Sequence, residues 1–548
     1  MFIDASTYTR NGKVYRRVLL RNSYRVNGKV RHSTIANLSS CSDEEVKALK
    51  LALQNKNHLE NLGNIRNDVQ INQGLSVGAV LALSQMAKKL GLTKALGNTR
   101  LSKLSLWLVI ACVIEQGSRL SAVRLAQRHN ACDILGLDGF NENDLYAAMD
   151  ELADNQIEIE KKLFKFRYGN EKPNFYLYDV TSSYFEGEKN ELAYYGYNRD
   201  KKKGKKQIVI GLMTDDKGSP ISIEVFEGNT SDPLTVSNQI KKMAERFGVK
   251  DVTLVGDRGM IKQAQIEELS EQNFHYITAI TKPQIESLVK TGLIQLSFFD
   301  KKLTEISDEN IRYVLHRNPI RAEEIEMNRQ SKLDFLKTLI EKKNQYLFEH
   351  PKAKTETALR TIEEKIKQLK MSGWIILESA EKIISFKIDE KAKEETSKFD
   401  GCYAIKTDLS QNIAATEKVH SRYKDLAFVE RAFRTMKTAL LEMRGIYVRK
   451  ANRTRAHVFV IMLGYLLAHE LQKLWHSVEL TVEEGIAELA SICSMEVCIS
   501  GHTAYQTIPQ PRPMGKILLG KMGVLLPKAI PLRNAIVDTK KKLVTERK

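Results

Sequence analysis

The sequence predicts a mixed α/β protein, an open sheet with helical cover, and three observations predict it. Between residues 173 and 260, short β-rich runs bounded by turn residues replace the helical periodicity that precedes them: FYLYDVTSSYF, KQIVIGLMTDD, PISIEVFEG and VTLVGDRG. Between the third and fourth runs, Leu234, Ile240, Met243 and Phe247 mark a helical stripe. Three strands in succession, then a helix, a strand and another helix, describe a mixed sheet rather than a parallel or purely antiparallel one.

The 548 residues exceed one ordinary core, so several units are expected. Residues 13–38 hold two β-rich runs around Asn27-Gly28, a hairpin signal because both residues tolerate positive φ. Arg16, Arg17, Arg21, Arg25, Lys29 and Arg31 line that ribbon, which suits either a DNA groove or a solvated edge. Residues 1–70 are read as this basic arm, and 71–170 as a helical DNA-binding region in which Arg119, Arg124 and Arg128 recur on one segment. The core occupies 171–282 and resumes at 400–475. Residues 283–399 form an insertion: stripes Leu333, Leu336, Ile340, Leu347 and Leu359, Ile362, Ile366, Leu369 flank His350-Pro351, as in an antiparallel helical hairpin. Residues 476–548, with three prolines and a basic end, read as a peripheral tail.

Composition points to the partner. Lys and Arg number 85 against 67 Asp and Glu, a net charge of +18, which favours a polyanion such as nucleic acid. The longest apolar runs, Leu104–Ile114 and Val458–Ala468, are too short to span a bilayer, and the N-terminus lacks a hydrophobic signal core. The six cysteines form no Cys-x2-Cys pair, so neither a zinc site nor a disulfide framework is indicated, and a cytoplasmic, nucleoid-associated location is expected.

Asp179 and Asp257 each close a β-rich run, where open sheets present catalytic groups. Either alone is more simply a turn or cap residue. A third acid makes the pair informative. In the segment from Tyr423, the residues Leu426, Val429, Phe433, Met436 and Leu440 form a buried stripe, and Tyr423, Glu430 and Lys437 follow one another at intervals of seven beside it. Arg434 stands one turn beyond Glu430. The competing reading is a solvated Glu430–Arg434 pair.

Taken together, these segments resemble the DDE transposases of bacterial insertion sequences, in the branch marked by Tyr-x2-Arg-x3-Glu-x6-Lys. The chain reads Tyr423-x2-Leu426-x3-Glu430-x6-Lys437, with Leu426 in the arginine position. DVTSSYFEG (179–187), YGYNRDKKKGKKQ (195–207), FEGNTSD (226–232), GDRGM (256–260) and DGCYAIKTD (400–408) are also similar to the family. The resemblance implies a ribonuclease H-like fold and a catalytic triad of Asp179, Asp257 and Glu430 holding two Mg²⁺ ions, with Mn²⁺ able to substitute. It implies hydrolysis at element ends, transfer of the freed 3′-hydroxyl, and a dimer assembled on DNA. Tyr423 and Lys437, assisted by Arg434, are expected to hold the DNA backbone. Lys205, Lys206, Arg444 and Arg449 are expected DNA contacts, with Arg16 and Arg25 on the arm. A catalytically inactive DNA-binding derivative and another ribonuclease H-like nuclease remain as alternatives.

Overall fold

The computed structural model describes residues 1–57, 69–187, 189–249, 252–438, 440–443, 446–499, 502–531, 533 and 535–539. The chain opens with an antiparallel meander of β1 (Phe2–Arg10), β2 (Lys13–Val26) and β3 (Lys29–Asn37). Two Asn-Gly turns make it, Asn11-Gly12 (φ 51° and 73°) and Asn27-Gly28 (φ 50° and 75°), and both take the left-handed backbone that tight hairpins need. The arm is therefore three-stranded, one strand more than the single hairpin expected. A helix, Asp43–Gln54, comes next, closed by a Ser42–Glu45 capping box.

β4 (Val69–Ser76) leads into a helical region whose main elements are Gly78–Lys89, Arg100–Ile114, Arg119–Arg128, Glu142–Asp154 and Gln156–Tyr168; β5 (Gly139–Phe140) lies between the third and fourth. Arg100–Ile114 is apolar on nearly every side because it is packed on nearly every side: Leu104, Trp107, Val109 and Ile110 are fully buried. The Trp107 indole N–H donates to the Ala122 carbonyl at 3.2 Å. Among the described residues no single helix is long and apolar enough to cross a membrane.

The central sheet takes β6 (Phe175–Tyr184), β7 (Gln207–Asp215), β8 (Pro220–Phe226), β9 (Thr253–Gly256), β10 (His275–Ala279), β11 (Thr304–Asp308) and β12 (Ile311–Arg317). After the separate hairpin of β13 (Ile375–Ala380) and β14 (Ile383–Ile388), β15 (Cys402–Thr407) completes it. The order is β11-β12-β15-β10-β9-β6-β7-β8. β6, β7 and β8 are antiparallel neighbours, whereas β6, β9 and β10 run parallel. The first five strands thus stand in the order third, second, first, fourth, fifth, the ribonuclease H-like arrangement. Alternation along the strands separates two cores. Leu177, Ile208, Ile210, Leu212 and Val255 pack with Val429, Phe433 and Met436 of the helix Leu426–Lys437. Tyr176, Tyr178, Val209, Met213 and Leu254 pack with Val236, Ile240 and Met243 on the other face. The helix Ala451–Leu474 is buried along most of its length and joins the sheet to the helical region.

Two expectations are corrected. β11 and β12, within the stretch read as an insertion, extend the sheet beyond β15; Arg312 to Arg317 pair with Thr407 to Cys402. From Pro319 the stretch leaves the sheet as a 31-residue helix, Pro319–Glu349, and a second helix, Thr355–Gln368, around a core of Leu336, Ile362, Ile366 and Trp374. The segment after 476 is not peripheral. β16 (Cys493–Ile499) pairs with β4 and with β17 (His502–Thr507), and β18 (Ile536–Val537) pairs with β5. Lys89 donates to the Met522 and Gly523 carbonyls at 2.6 and 2.8 Å, fastening the helix Pro513–Met522 to the helical region.

Candidate active site

Asp179 does not end its strand, as its sequence context suggests. β6 continues to Tyr184, and Asp179 pairs with Leu212 on the β7 side. On the β9 side the paired register stops at Leu177↔Val255. Two residues further stand Asp179 and Asp257, the latter one residue beyond the end of β9. The early end of β9 is what opens the sheet beside Asp179.

Glu430 reaches this opening from the helix Leu426–Lys437. Val429, Ala432, Phe433 and Met436 bury one face of that helix against the sheet and leave Glu430 exposed at its edge. Burial, and next the negative charges of Asp257 and Glu430, push the Asp179 carboxyl up to about 7, against the Val180 N–H and Arg199, which favour the ionised form. Asp257 and Glu430, 78 and 251 residues from Asp179 in sequence, therefore both act on it electrostatically.

The carboxylates are not arrayed as ligands. The Val180 N–H donates to Asp179 Oδ1 at 2.8 Å, and the Arg258 N–H donates to Asp257 Oδ1 at 2.7 Å. Among the described residues no group of three or more His, Cys, Asp or Glu side chains stands in metal-holding geometry. The chemistry of the donors nonetheless fits a hard divalent cation: all are carboxylate oxygens, and burial together with the charges of Asp257 and Glu430 raises Asp179, an effect that a bound cation would oppose.

The signature residues divide by environment. Tyr423 belongs to a separate helix, Thr416–Lys424, that steps into the next at Asp425, so the expected single helix is two. Its hydroxyl donates to Asp257 Oδ1 at 3.3 Å, and burial raises its pKa. Lys437 is buried, contrary to the expectation of a DNA contact. Its ammonium donates to the Ser182 carbonyl at 2.5 Å and to Asp200 Oδ1 at 3.0 Å. Both side chains of that pair are nearly inaccessible, at 6% and 4% exposure. Asp200 also accepts from the Tyr184 N–H at 3.3 Å. Arg434 is exposed one turn beyond Glu430.

Of the other basic residues, Lys205 is paired with Glu186 at 2.7 Å and Lys206 lies over the Tyr195 ring. Arg449 is exposed, and Arg444 lies outside the described residues. On the arm, Arg16 pairs with Asp43 at 2.8 Å, while Arg25 is exposed near the Asn27-Gly28 turn. Three residues not singled out in the sequence complete the site. Arg199, whose charge acts on Asp179, is fixed by Asp232 at 2.6 and 2.7 Å, and Asp200 anchors Lys437. Their only sequence signal is charge inside the segments 195–207 and 226–232.

Two family models match the chain. The family model for the N-terminal domain of IS1634 family transposases matches residues 3–64, a span that holds nearly all of the β1–β3 meander and the helix Asp43–Gln54. Comparison with curated sequences finds no match. Among solved structures, a cryo-EM structure of the piggyBac transposase synaptic complex with hairpin DNA is similar over 76% of this chain and 69% of that one, with 9% identity and a TM-score of 0.34. The transposase DDE domain matches residues 170–467, more than half of the chain and the whole of the sheet with its three acids, and the chain belongs to the DDE transposases.

Proposed function

We propose that this transposase cleaves DNA at the ends of an insertion sequence and joins the freed 3′-hydroxyl to a second phosphodiester, with Asp179, Asp257 and Glu430 as the catalytic acids. One observation carries the reading: Asp179 and Asp257 each follow by two residues the paired couple Leu177–Val255, and the charges of Asp257 and Glu430 both hold back the ionisation of Asp179. A site that gathers three carboxylates against their mutual repulsion is built to receive cations. Two divalent ions held by these acids would stabilise the attacking and leaving oxygens of an in-line transfer.

The remaining residues orient this set. Tyr423 fixes one Asp257 oxygen, and the Lys437–Asp200 pair ties the Glu430 helix to β6 through the Ser182 carbonyl and the Tyr184 N–H. Arg199 keeps a positive charge near Asp179 without occupying the space between the acids, because Asp232 holds its guanidinium. Exposed Arg434, with Lys205 and Lys206 on the loop between β6 and β7, supplies positive charge for DNA phosphates. Two element ends must be brought together for transfer, which favours a dimer on DNA.

The test is nicking of a supercoiled plasmid carrying the element ends, in Mg²⁺ and in Mn²⁺. Glu430→Gln keeps size and hydrogen bonding but removes a charge. It should lower nicking by roughly a thousandfold or more while leaving binding to the ends intact. A Glu430→Gln protein that nicks at the parental rate overturns the three-acid assignment.

A further inference from the structure

A cleft of about 760 Å³ lies between the helical region and the segment after the Glu430 helix. Its walls come from the helices Arg100–Ile114, Arg119–Arg128 and Ala451–Leu474 and from residues 441–442 and 447–450; Asp179, Asp257 and Glu430 do not line it. Its volume is that of a small-ligand site. Four of its lining residues are basic, Arg119, Arg449, Lys450 and Arg453, and two are acidic, Glu115 and Glu442.

The ion pairs around it leave a deficit of negative charge. Arg453 is taken by Asp150 at 2.7 Å, and Glu115 is taken by Arg128 at 2.7 Å. The Arg119 guanidinium, deep in the cleft, meets no carboxylate among the described residues. Its Nη1 lies 3.3 Å from the Met149 sulfur and 3.5 Å from His457 Nδ1, and its Nη2 donates to the Gly117 carbonyl at 3.2 Å. Its Nε is buried with no hydrogen-bond partner. His457 offers no compensation, since burial, and then Arg119 itself, push it down to about 3 and keep it neutral. Arg119 is half-buried, and a guanidinium whose buried Nε lacks a partner is costly unless an anion meets it. At the mouth, Tyr447 is 72% exposed and presents an aromatic face beside exposed Arg449 and Lys450.

We propose that this cleft binds a nucleotide, its phosphate held by Arg119 together with Arg449 and Lys450, and its base against Tyr447. A guanidinium fork matches phosphate oxygens, and aromatic faces stack any base. The nucleotide belongs either to a DNA strand or to a free mononucleotide. The backbone favours the strand: Phe185 bridges to Ile446 and the Glu186 N–H donates to the Ile446 carbonyl at 3.0 Å, so the mouth adjoins the loop that continues the Asp179 strand.

The experiment reads binding in EDTA, where cleavage is absent, so it stands or falls separately from the three-acid mechanism. The probe is a 5′-phosphorylated tetranucleotide of DNA labelled with fluorescein at its 3′ end, followed by anisotropy with the full chain. Arg119→Gln should weaken binding roughly tenfold or more, the scale of a lost charged hydrogen bond, and Arg449→Ala by severalfold. Arg449 is exposed and its removal leaves the fold intact, so the second variant keeps the test decisive if the first fails to fold. Competition by dAMP at concentrations near those of unlabelled tetranucleotide identifies a free nucleotide as the occupant; competition by the tetranucleotide alone identifies a strand. Unchanged affinity in both variants overturns the proposal.

Discussion

Asp179 and Asp257 each stand two residues beyond Leu177–Val255, the last couple paired between the parallel strands β6 and β9, and the charge of Asp257 acts on Asp179. β9 ends at Gly256, so no further backbone pairing separates the two carboxylates, and Glu430 adds a third charge from the helix above. The fold thus concentrates negative charge where an ordinary sheet would bury another apolar couple.

The first prediction concerns the stability cost of that arrangement. Asp179 rises from an ordinary 3.8 to about 7 on folding. Between those values the folded chain binds more protons than the unfolded chain, so stability falls as pH rises; the penalty is absent below the lower value and complete above the upper one. Asp179→Asn removes it, by up to about 4 kcal/mol at the usual exchange between pKa and free energy. In EDTA at pH 8 the variant should melt higher than the parent, and the difference should shrink as pH is lowered toward 4. A variant that melts lower than the parent at pH 8 contradicts the account.

Lys437 yields a second prediction, opposite to the one its sequence position invites. As a buried partner of Asp200 it holds structure and not phosphate. Lys437→Ala should cost on the order of 3–5 kcal/mol by stranding Asp200. The paired change Lys437→Met with Asp200→Leu should cost less than either single truncation. DNA binding measured over a salt series should keep its slope in any variant that stays folded. A slope reduced by about one would restore Lys437 as a phosphate contact.

For Tyr423, the contact is one hydroxyl to one oxygen of Asp257, at 3.3 Å. Tyr423→Phe keeps the ring and loses only that orientation, so nicking should fall less than about tenfold, the scale of one neutral hydrogen bond. Tyr423→Ala should fall further, because the half-buried ring also packs against the core. Equal loss in the two variants would mean that the hydroxyl alone matters.

What the sequence disclosed and what it hid have a common physical cause. The elements that carry Asp179, Asp257 and Glu430 are legible because each is a local periodicity: two β-rich runs and the stripe Val429, Phe433, Met436. The burial of Lys437 was not, because Asp200 is 237 residues away and lies on a loop that reads as a solvated charge run. β4 finds its partner more than four hundred residues downstream in β16, so the integration of the C-terminal segment has no local signature. β11 and β12 are short and flank a two-residue turn inside a helical stretch, where only pairing with β15 shows that they belong to the sheet. The Asn11-Gly12 turn is different: its signal was present and as strong as that of Asn27-Gly28, and the three-stranded arm was open to reading.

The last prediction concerns the helical excursion between β12 and β15. The chain leaves and re-enters the sheet at adjacent points: Arg317 pairs with Cys402, and the Asn318 N–H donates to the Gly401 carbonyl at 2.8 Å. Between them, Leu336, Ile362, Ile366 and Trp374 bury themselves against one another and against the β13–β14 hairpin, a core distinct from those of the sheet. Contacts back to the sheet side are the exposed bonds of Lys282 to the Thr396 carbonyl at 3.1 Å and of Arg317 to the Lys398 carbonyl at 3.0 Å, and the half-buried Phe399, which packs with Ile280 and Leu315 and is the main apolar contact that a shortened chain loses. Replacing residues 319–400 by Asn-Gly would therefore convert a long crossover into a tight hairpin between strands already in register. The shortened chain should fold with a cooperative melt within a few degrees of the parent. In the intact chain, Ile362→Asp should open the excursion to proteolysis between 330 and 370 while amide protection of β6, β7 and β15 persists. Loss of protection in those strands on Ile362→Asp, or a shortened chain without a cooperative melt, would show that the excursion and the sheet share one folding unit.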